Sequence, residues 1–262
     1  MNVSALYIYP VKSLKGISLP EVQVERRGFA WDRRWMITDL EGGFLTQREI
    51  PRMGRIETAL DADGLVLTDA DTFIRIPLVR PAPETRRVVV WEDEVEAEDC
   101  GDAVANWLSE RLGRACRLVF MPENSIRPID PDFSVSEQDV VSFADGFPVL
   151  ITNTASLEDL NARLDQPVSM LRFRPNLVIH SDQPFAEDQF RRLQIGNVPF
   201  VSVKPCARCV MTTIDPETGE SGKEPLRTLA SFRTLNRKVM FGQNLIPLQE
   251  GTLRLEMPVV KV

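Results

Sequence analysis

Cys206 and Cys209 form a C-x-x-C inside the stretch KPCARCVMTTIDPETGESGKEP, residues 204–225. Two thiols three positions apart suit a zinc knuckle, a redox dithiol, or a single soft thiolate ligand to a metal held mainly by an organic cofactor. Structural zinc ordinarily takes four Cys or His ligands in closely spaced pairs. The remaining candidates, Cys100, Cys116 and His180, are each isolated in the sequence, which disfavours zinc. A thioredoxin-like dithiol sits at the start of a helix, whose positive end lowers the first thiol's pKa. The residues that follow, CVMTTID, are rich in β-branched side chains and run into a turn, so no helix is expected there. Arg208, between the thiols, still favours a thiolate electrostatically.

The soft-ligand alternative needs few protein ligands to the metal but many donors for the cofactor's anionic groups. YPVKSLKG carries Lys12, Ser13 and Lys15 directly after an apolar run, and WDRRW carries Arg33 and Arg34. TQREIPR adds Arg48 and Arg52, and RFRPN adds Arg172 and Arg174 with Asn176. Cations bunched beside Pro, Ser and Asn in an acidic chain suit a phosphate-bearing ligand. Any one of them alone reads equally well as a solvated surface charge.

The elements that must hold these residues are mostly short strands. EVQVE alternates at Val22 and Val24, RRWMITDLEGGFLTQ turns at Gly42–Gly43, and ALDADGLVLTD turns at Asp63–Gly64. RRVVVWEDEVEAED reads as a further hairpin turning near Glu92–Asp93. Strand following strand without intervening helices predicts antiparallel pairing. Three helices are expected. CGDAVANWLSERLGR has Val104, Trp107, Leu108, Arg111 and Leu112 at helical spacing, with Asp99 near its start. TASLEDLNARLD places Leu157, Leu160 and Leu164 on one face after a cap at Thr152 or Thr154, and KEPLRTLASFR places Leu226, Leu229 and Phe232 on one face after Pro225. MPENSIRPIDPDF, with three prolines in thirteen residues, predicts a domain boundary or long crossover. The fold class is α+β, mostly antiparallel, in two lobes.

Composition narrows the function classes. The 262 residues are 43% hydrophobic and 26% charged, an ordinary globular balance. A formal charge of −7, from 31 basic and 38 acidic residues, argues against a nucleic-acid partner held by bulk charge. No G-x-G-x-x-G or Walker loop occurs. The N-terminus lacks the layout of a signal peptide, no apolar run is long enough for a membrane span, and four cysteines make no disulfide framework. A cytoplasmic protein with no membrane partner is expected.

YPVKSLKG, WDRRWMI, TQREIPR, CGDAVANWL, RFRPNLVI, LQIGNV and CARCVMTTIDPETG occur in this order over almost the whole chain. In that order and spacing the sequence resembles MOSC-domain molybdenum-cofactor proteins with the associated N-terminal β-barrel domain, and among them the bacterial relatives of the mitochondrial amidoxime-reducing component. The resemblance implies an N-terminal β-barrel-like domain over residues 1–118 and a MOSC β-barrel domain with a few packing helices over residues 119–262. It implies molybdenum ligated by Cys209 and molybdopterin held by Lys12, Ser13, Arg33, Asp145, Arg174, Asn176, Ala207 and Arg208. Cys206 matches a cysteine that is not the metal ligand.

The activity implied is reduction of small N-hydroxylated compounds by N–O cleavage. No cysteine follows Cys209 to build the [2Fe–2S] site of some bacterial relatives. Electrons are therefore expected from a separate donor protein of ferredoxin, flavoprotein or cytochrome type. Two other roles remain open: sulfur transfer through a persulfide on Cys206 or Cys209, as in the MOSC domains of molybdenum-cofactor sulfurases, and a non-enzymatic cofactor carrier.

Overall fold

The computed structural model describes residues 1–79 and 81–262. Its largest sheet has nine strands. Eight of them run in the order Val259–Lys261, Arg192–Ile195, Val198–Ala207, Lys238–Pro247, Val149–Asn153, Leu177–His180, Asn2–Ile8 and Ile17–Leu19, and Thr234–Leu235 pairs beside Lys238–Pro247. Thus the first strand of the chain lies among strands from its second half. A four-stranded sheet orders Trp35–Thr38, Arg117–Phe120, Asp93–Asp99 and Thr85–Val90. Two three-stranded sheets complete the architecture, one pairing Gly251–Arg254 with Glu21–Glu25 and Gly28–Phe29, the other a meander over Glu57–Leu60, Gly64–Asp69 and Thr72–Pro77. Antiparallel pairing dominates as expected; among the described strand ladders only Val149–Asn153 with Leu177–His180 is parallel.

Side-chain alternation explains these sheets. In Glu21–Glu25 only Val22 and Val24 turn inward, and both are buried. The Asp63–Gly64 turn is held by Asp61, whose Oδ1 accepts from the backbone N–H groups of Asp63 (2.9 Å) and Gly64 (3.0 Å). The next hairpin turns one residue earlier than predicted, at Trp91–Glu92, with Val90 opposite Asp93. The second arm after Gly42–Gly43 is no full strand: a bridge from Thr38 to Phe44 and the Leu45 N–H to Ile37 carbonyl bond hold it.

The predicted helices form at Asp102–Leu112 (α1), Thr154–Asn161 (α2) and Leu226–Phe232 (α3). In α1, Val104, Leu108 and Leu112 are buried, and Gly113 closes the helix in the left-handed region. Asp99 does not cap it. Its carboxylate accepts from the Gly101 N–H and pairs with Arg86 and Arg117. The cap of α2 is Asn153, whose side chain accepts from Ala155 N, rather than either flanking threonine. Residues 121–148, which include the proline-rich stretch, carry no named helix or strand.

Two apolar cores meet along the N-terminal segment. One, under the large sheet, takes Val3, Leu6 and Ile8 with Phe200, Leu245 and Leu253. The other, against α1, takes Val11 and Leu14 with Trp35, Leu65, Leu108 and Leu118. The chain crosses from one to the other over Tyr9–Pro10, so YPVKS is clamped from both sides. Lys12 N–H then bonds to Trp35 O (2.8 Å).

Candidate functional site

Lys12 is brought to Asp145, 133 positions away: its Nζ donates to Asp145 Oδ1 (2.6 Å) and Phe143 O (2.9 Å). Burial pushes the lysine's pKa down, and the carboxylate opposes that shift. The Asp145 side chain is 77% exposed, so water screens it. Desolvation still works against its charge, but Lys12 overrides it and holds the carboxyl well below the usual range. Arg127, missed in the sequence, is buried beneath and donates to the carbonyls of Ser142, Ala144 and Asp145. Trp91 reaches the same carboxylate through Nε1 (3.3 Å), and the Arg48 guanidinium lies 4.6 Å from the Trp91 ring centre.

The second group centres on Arg33, Arg174 and Asn176. Arg33 Nη1 donates to both oxygens of Asp32, at 2.8 and 2.7 Å, and to Asn176 Oδ1 at 3.2 Å. Arg33 Nη2 donates to Arg174 O (3.3 Å), and the Phe143 N–H to Arg33 O (2.9 Å), which ties this group to the Lys12–Asp145 pair. The Arg33 and Arg174 guanidiniums lie 4.3 and 4.1 Å from the Tyr9 ring centre. Asp32 is wholly buried; burial raises its pKa, and Arg33 only partly offsets that. Burial and the neighbouring Arg33 push Arg174 down to about 10. Ser13, Arg33 and Arg174 have φ of 68°, 48° and 51°, the left-handed region that non-glycine residues rarely enter. Three residues expected at one site from separate motifs share this strained backbone, and such strain clusters at functional sites.

The C-x-x-C lies at the end of the strand Val198–Ala207. Cys209 is exposed and precedes a single 3₁₀ turn, Val210–Thr213. That turn corrects the expectation of no helical structure after the motif, and four residues make no thioredoxin-like helix. Arg208 Nη1 sits 2.9 Å from Cys206 Sγ, and Nη2 donates to Phe173 O (2.7 Å), linking the cysteine strand to the RFRPN segment. Asp215 shapes the following turn: its Oδ1 accepts from the N–H groups of Thr218 (3.0 Å) and Glu217 (2.9 Å), and Arg172 pairs with Oδ2 at 2.8 Å. The Thr218 bond is foremost in holding its carboxyl below the usual range.

All the expected positions therefore lie in one bonded network or on the strand end that joins it, except Ser13, which sits beside Lys12 with no side-chain bond of its own. Two of the other bunched cations lie elsewhere. Arg34 is buried against Met121 O, and Arg52 lies near Arg55 and Arg111. Cys116 is in the α1 core and Cys100 against it, while His180 bonds to Thr154. Among the described residues no group of three or more His, Cys, Asp or Glu could hold a metal ion. Besides Arg127, sequence reasoning missed Tyr9, hidden as one more apolar residue, and Asp32, whose place before an Arg–Arg pair was its one signal.

The donor set fits an anionic cofactor. Arg174 Nη2 and Arg208 Nε are buried without a hydrogen-bond partner, and Arg174 has no carboxylate partner among the described residues. A buried cation without a bonded counter-charge is costly, so the arrangement suits an anionic ligand. An exposed thiol at the same strand end is the soft donor that a metal in that cofactor requires.

Comparison with known proteins follows the same line. The model described as the MOSC N-terminal beta barrel domain matches residues 1–115, and the MOSC domain model matches residues 138–260. The chain is 37% identical over 277 residues to human mitochondrial amidoxime-reducing component 1, covering 98% of this chain and 82% of that protein. It is 32% identical to human component 2, covering 100% and 83%. A molybdenum cofactor sulfurase from rice is 31% identical over 263 residues, 92% of this chain but 32% of the sulfurase. No helix among the described residues is long and apolar enough to cross a membrane.

Proposed function

This chain belongs to the family of MOSC-domain proteins with the MOSC N-terminal β-barrel domain, and from that premise we propose that it is a molybdenum-cofactor enzyme reducing N-hydroxylated compounds. Cys209 ligates the metal, and Lys12, Ser13, Arg33, Asp145, Arg174, Asn176, Ala207 and Arg208 hold the molybdopterin. The cofactor, when bound, supplies the two-electron chemistry of N–O cleavage. A separate protein delivers the electrons. The observation that carries the reading is convergence: residues spread from position 12 to position 209 meet where two cores join, beside an exposed thiol and with cations short of counter-charge.

The chain's own residues bind and orient. Asp32 fixes Arg33 through two bonds, and Asn176 anchors to Arg33 and to the Leu150 N–H. Arg127 sets the backbone that carries Asp145. Asp215 is committed to its own turn and to Arg172, which leaves it no role as a free proton donor. One observation favours sulfur transfer as a second reading: Arg208 Nη1 lies 2.9 Å from Cys206 Sγ, a cation beside the cysteine that is not the metal ligand, and the rice relative is named as a sulfurase.

Metal and pterin content of wild type and Cys209→Ser, made in a cofactor-competent host, tests the proposal. Near-stoichiometric molybdenum and pterin in wild type, metal lost in the variant, and reduction of an aromatic amidoxime by reduced viologen are expected. Zinc without pterin, or molybdenum unaffected by the substitution, overturns it. Loaded protein that accepts sulfur on Cys206 and leaves the amidoxime unchanged selects the second reading.

A further inference from the structure

The sheet that carries the C-x-x-C ends in a rank of exposed side chains. Ala207 pairs with Met240, and the Arg208 N–H donates to Val239 O (2.7 Å), so the same register sets Cys209 opposite Lys238. Lys238 pairs on its other side with Leu235, across a turn of Asn236 and Arg237 that are both left-handed, at φ of 48° and 64°. Residues directly opposite one another point to the same face of a sheet. Cys209, Lys238 and Leu235 therefore share one face, with Arg237 at its tip. Cys209 and Lys238 are exposed; Leu235 is 52% exposed, and Val210, the residue after the thiol, 53%.

The charge of this end opposes that of the whole chain. Between positions 208 and 238 several charged side chains are paired: Asp215 with Arg172, Glu217 with Lys15, Glu224 with Arg227, and Arg233 with Asp188. Left without an ion pair among the described residues are Arg208, Lys223, Arg237 and Lys238, against one carboxylate, Glu220. The full chain carries a formal charge of −7. Its unpaired cations here flank an exposed thiol and two exposed aliphatic side chains. An apolar centre with a charged rim of one sign is the anatomy of a protein interface, and complementarity asks for an acidic partner.

We propose that this face docks an acidic electron-transfer protein, with Val210 and Leu235 at the centre of the contact and Arg237 and Lys238 on its rim. This rests on the reductase reading and deepens it, because a donor seated here meets the chain at the residue assigned to the metal. Converting an amidoxime to an amidine and water consumes two electrons and two protons. The docked partner supplies the electrons and water the protons. Opposite charge steers such a partner to the face and fixes its orientation there.

The test is calorimetric titration of two acidic donors, a plant-type ferredoxin and a flavodoxin, into protein isolated from a cofactor-competent host. At least one should bind saturably at low salt, with affinity falling as salt rises. Arg237→Glu/Lys238→Glu should weaken that binding about tenfold or more, and Leu235→Ser about threefold or more. Arg191→Glu/Arg192→Glu makes the same change in net charge at exposed positions by the far end of the cysteine strand, where Arg192 lies opposite Val201. It should move the affinity by less than about twofold. Amidoxime reduction by reduced viologen should be equal in all variants, while reduction driven by the protein donor falls with its binding. Saturable binding by neither donor overturns the docking face. So does binding that both charge reversals weaken equally, or association with phosphatidylserine vesicles in place of either donor. Viologen-driven turnover survives all three results, so the reductase reading is judged separately. Docking as expected in a protein that turns over with no donor keeps the face and removes the reductase reading.

Discussion

Asp32→Asn gives the sharpest test of how the site is held. The carboxylate is 1% exposed and accepts from Arg33 Nη1 at 2.8 and 2.7 Å and from the Tyr9 backbone N–H at 2.8 Å. Asparagine has nearly the same shape but no charge, and its NH₂ must face one of these donors with another donor. Arg33 then keeps one neutral bond to the amide oxygen beside Asn176 Oδ1 and Arg174 O, at 3.2 and 3.3 Å, and loses its counter-charge. Removing one partner of a buried pair costs about 3–5 kcal/mol. The Arg33 side chain is 13% exposed, so water partly relieves the stranded charge and the lower end, about 3 kcal/mol, applies. At about 2–4 °C per kcal/mol for a chain of this size, the melting temperature falls by roughly 6–12 °C. The double variant Asp32→Asn/Arg33→Met removes the stranded cation and should recover about half of the loss or more, because intact buried pairs contribute little net stability. Thermal and urea unfolding of both singles and the double measure this. A single Asp32→Asn within about 1 kcal/mol of wild type, or a double variant as unstable as the summed singles, refutes the reasoning.

Gly28→Ala should lower the unfolding free energy, read from urea denaturation, by about 2 kcal/mol or more, since φ is 112° and a Cβ would sit 2.4 Å from Pro148 O. Glu187 is fully buried; burial raises its pKa, and bonds from Ser156 Oγ to both carboxylate oxygens resist only partly. The folded state therefore binds this proton more tightly than the unfolded one, so stability falls as pH rises from the unfolded carboxylate pKa towards the raised folded one. Glu187→Gln should flatten that decline, and a pH series of melting temperatures with an unchanged slope refutes it. Ser13→Gly removes a left-handed cost of about 1–2 kcal/mol, and glycine's greater chain entropy offsets about 0.5–1 of it. Stability should hold or rise slightly while pterin retention, read by fluorescence, falls.

Elements and chemistry were legible to different degrees. Alternation at Val22 and Val24 and the helical stripe of Val104, Leu108 and Leu112 revealed their elements, because burial of one face is a local property of sequence. The candidate motifs were visible as cations beside Ser, Pro and Asn. Which cations converge was not visible: Arg34 and Arg33 are adjacent, yet one is buried against Met121 O and the other faces Asn176. Backbone strain separates them, since Arg33 is left-handed at 48°, and no residue preference announces a left-handed arginine. Tyr9 was unreadable for the opposite reason. At the end of an apolar strand its ring predicts core, and only the two guanidiniums brought from elsewhere make its hydroxyl conspicuous.

The placement of YPVKS explains why this site needs both halves of the chain. Ile8 belongs to the core of the large sheet and Val11 and Leu14 to the core around α1, so the six residues between Ile8 and Lys15 are fixed at both ends by burial. Lys12 and Ser13 cannot move without disturbing one core or the other. Arg33 repeats the arrangement: the Arg33 N–H reaches Tyr9 O, its carbonyl receives Phe143 N–H, and its guanidinium reaches Asn176. Neither half alone positions these groups. A site assembled this way couples ligand binding to the docking of the two cores, because an anion that neutralises Arg174 and Arg208 stabilises only the arrangement in which both halves are joined.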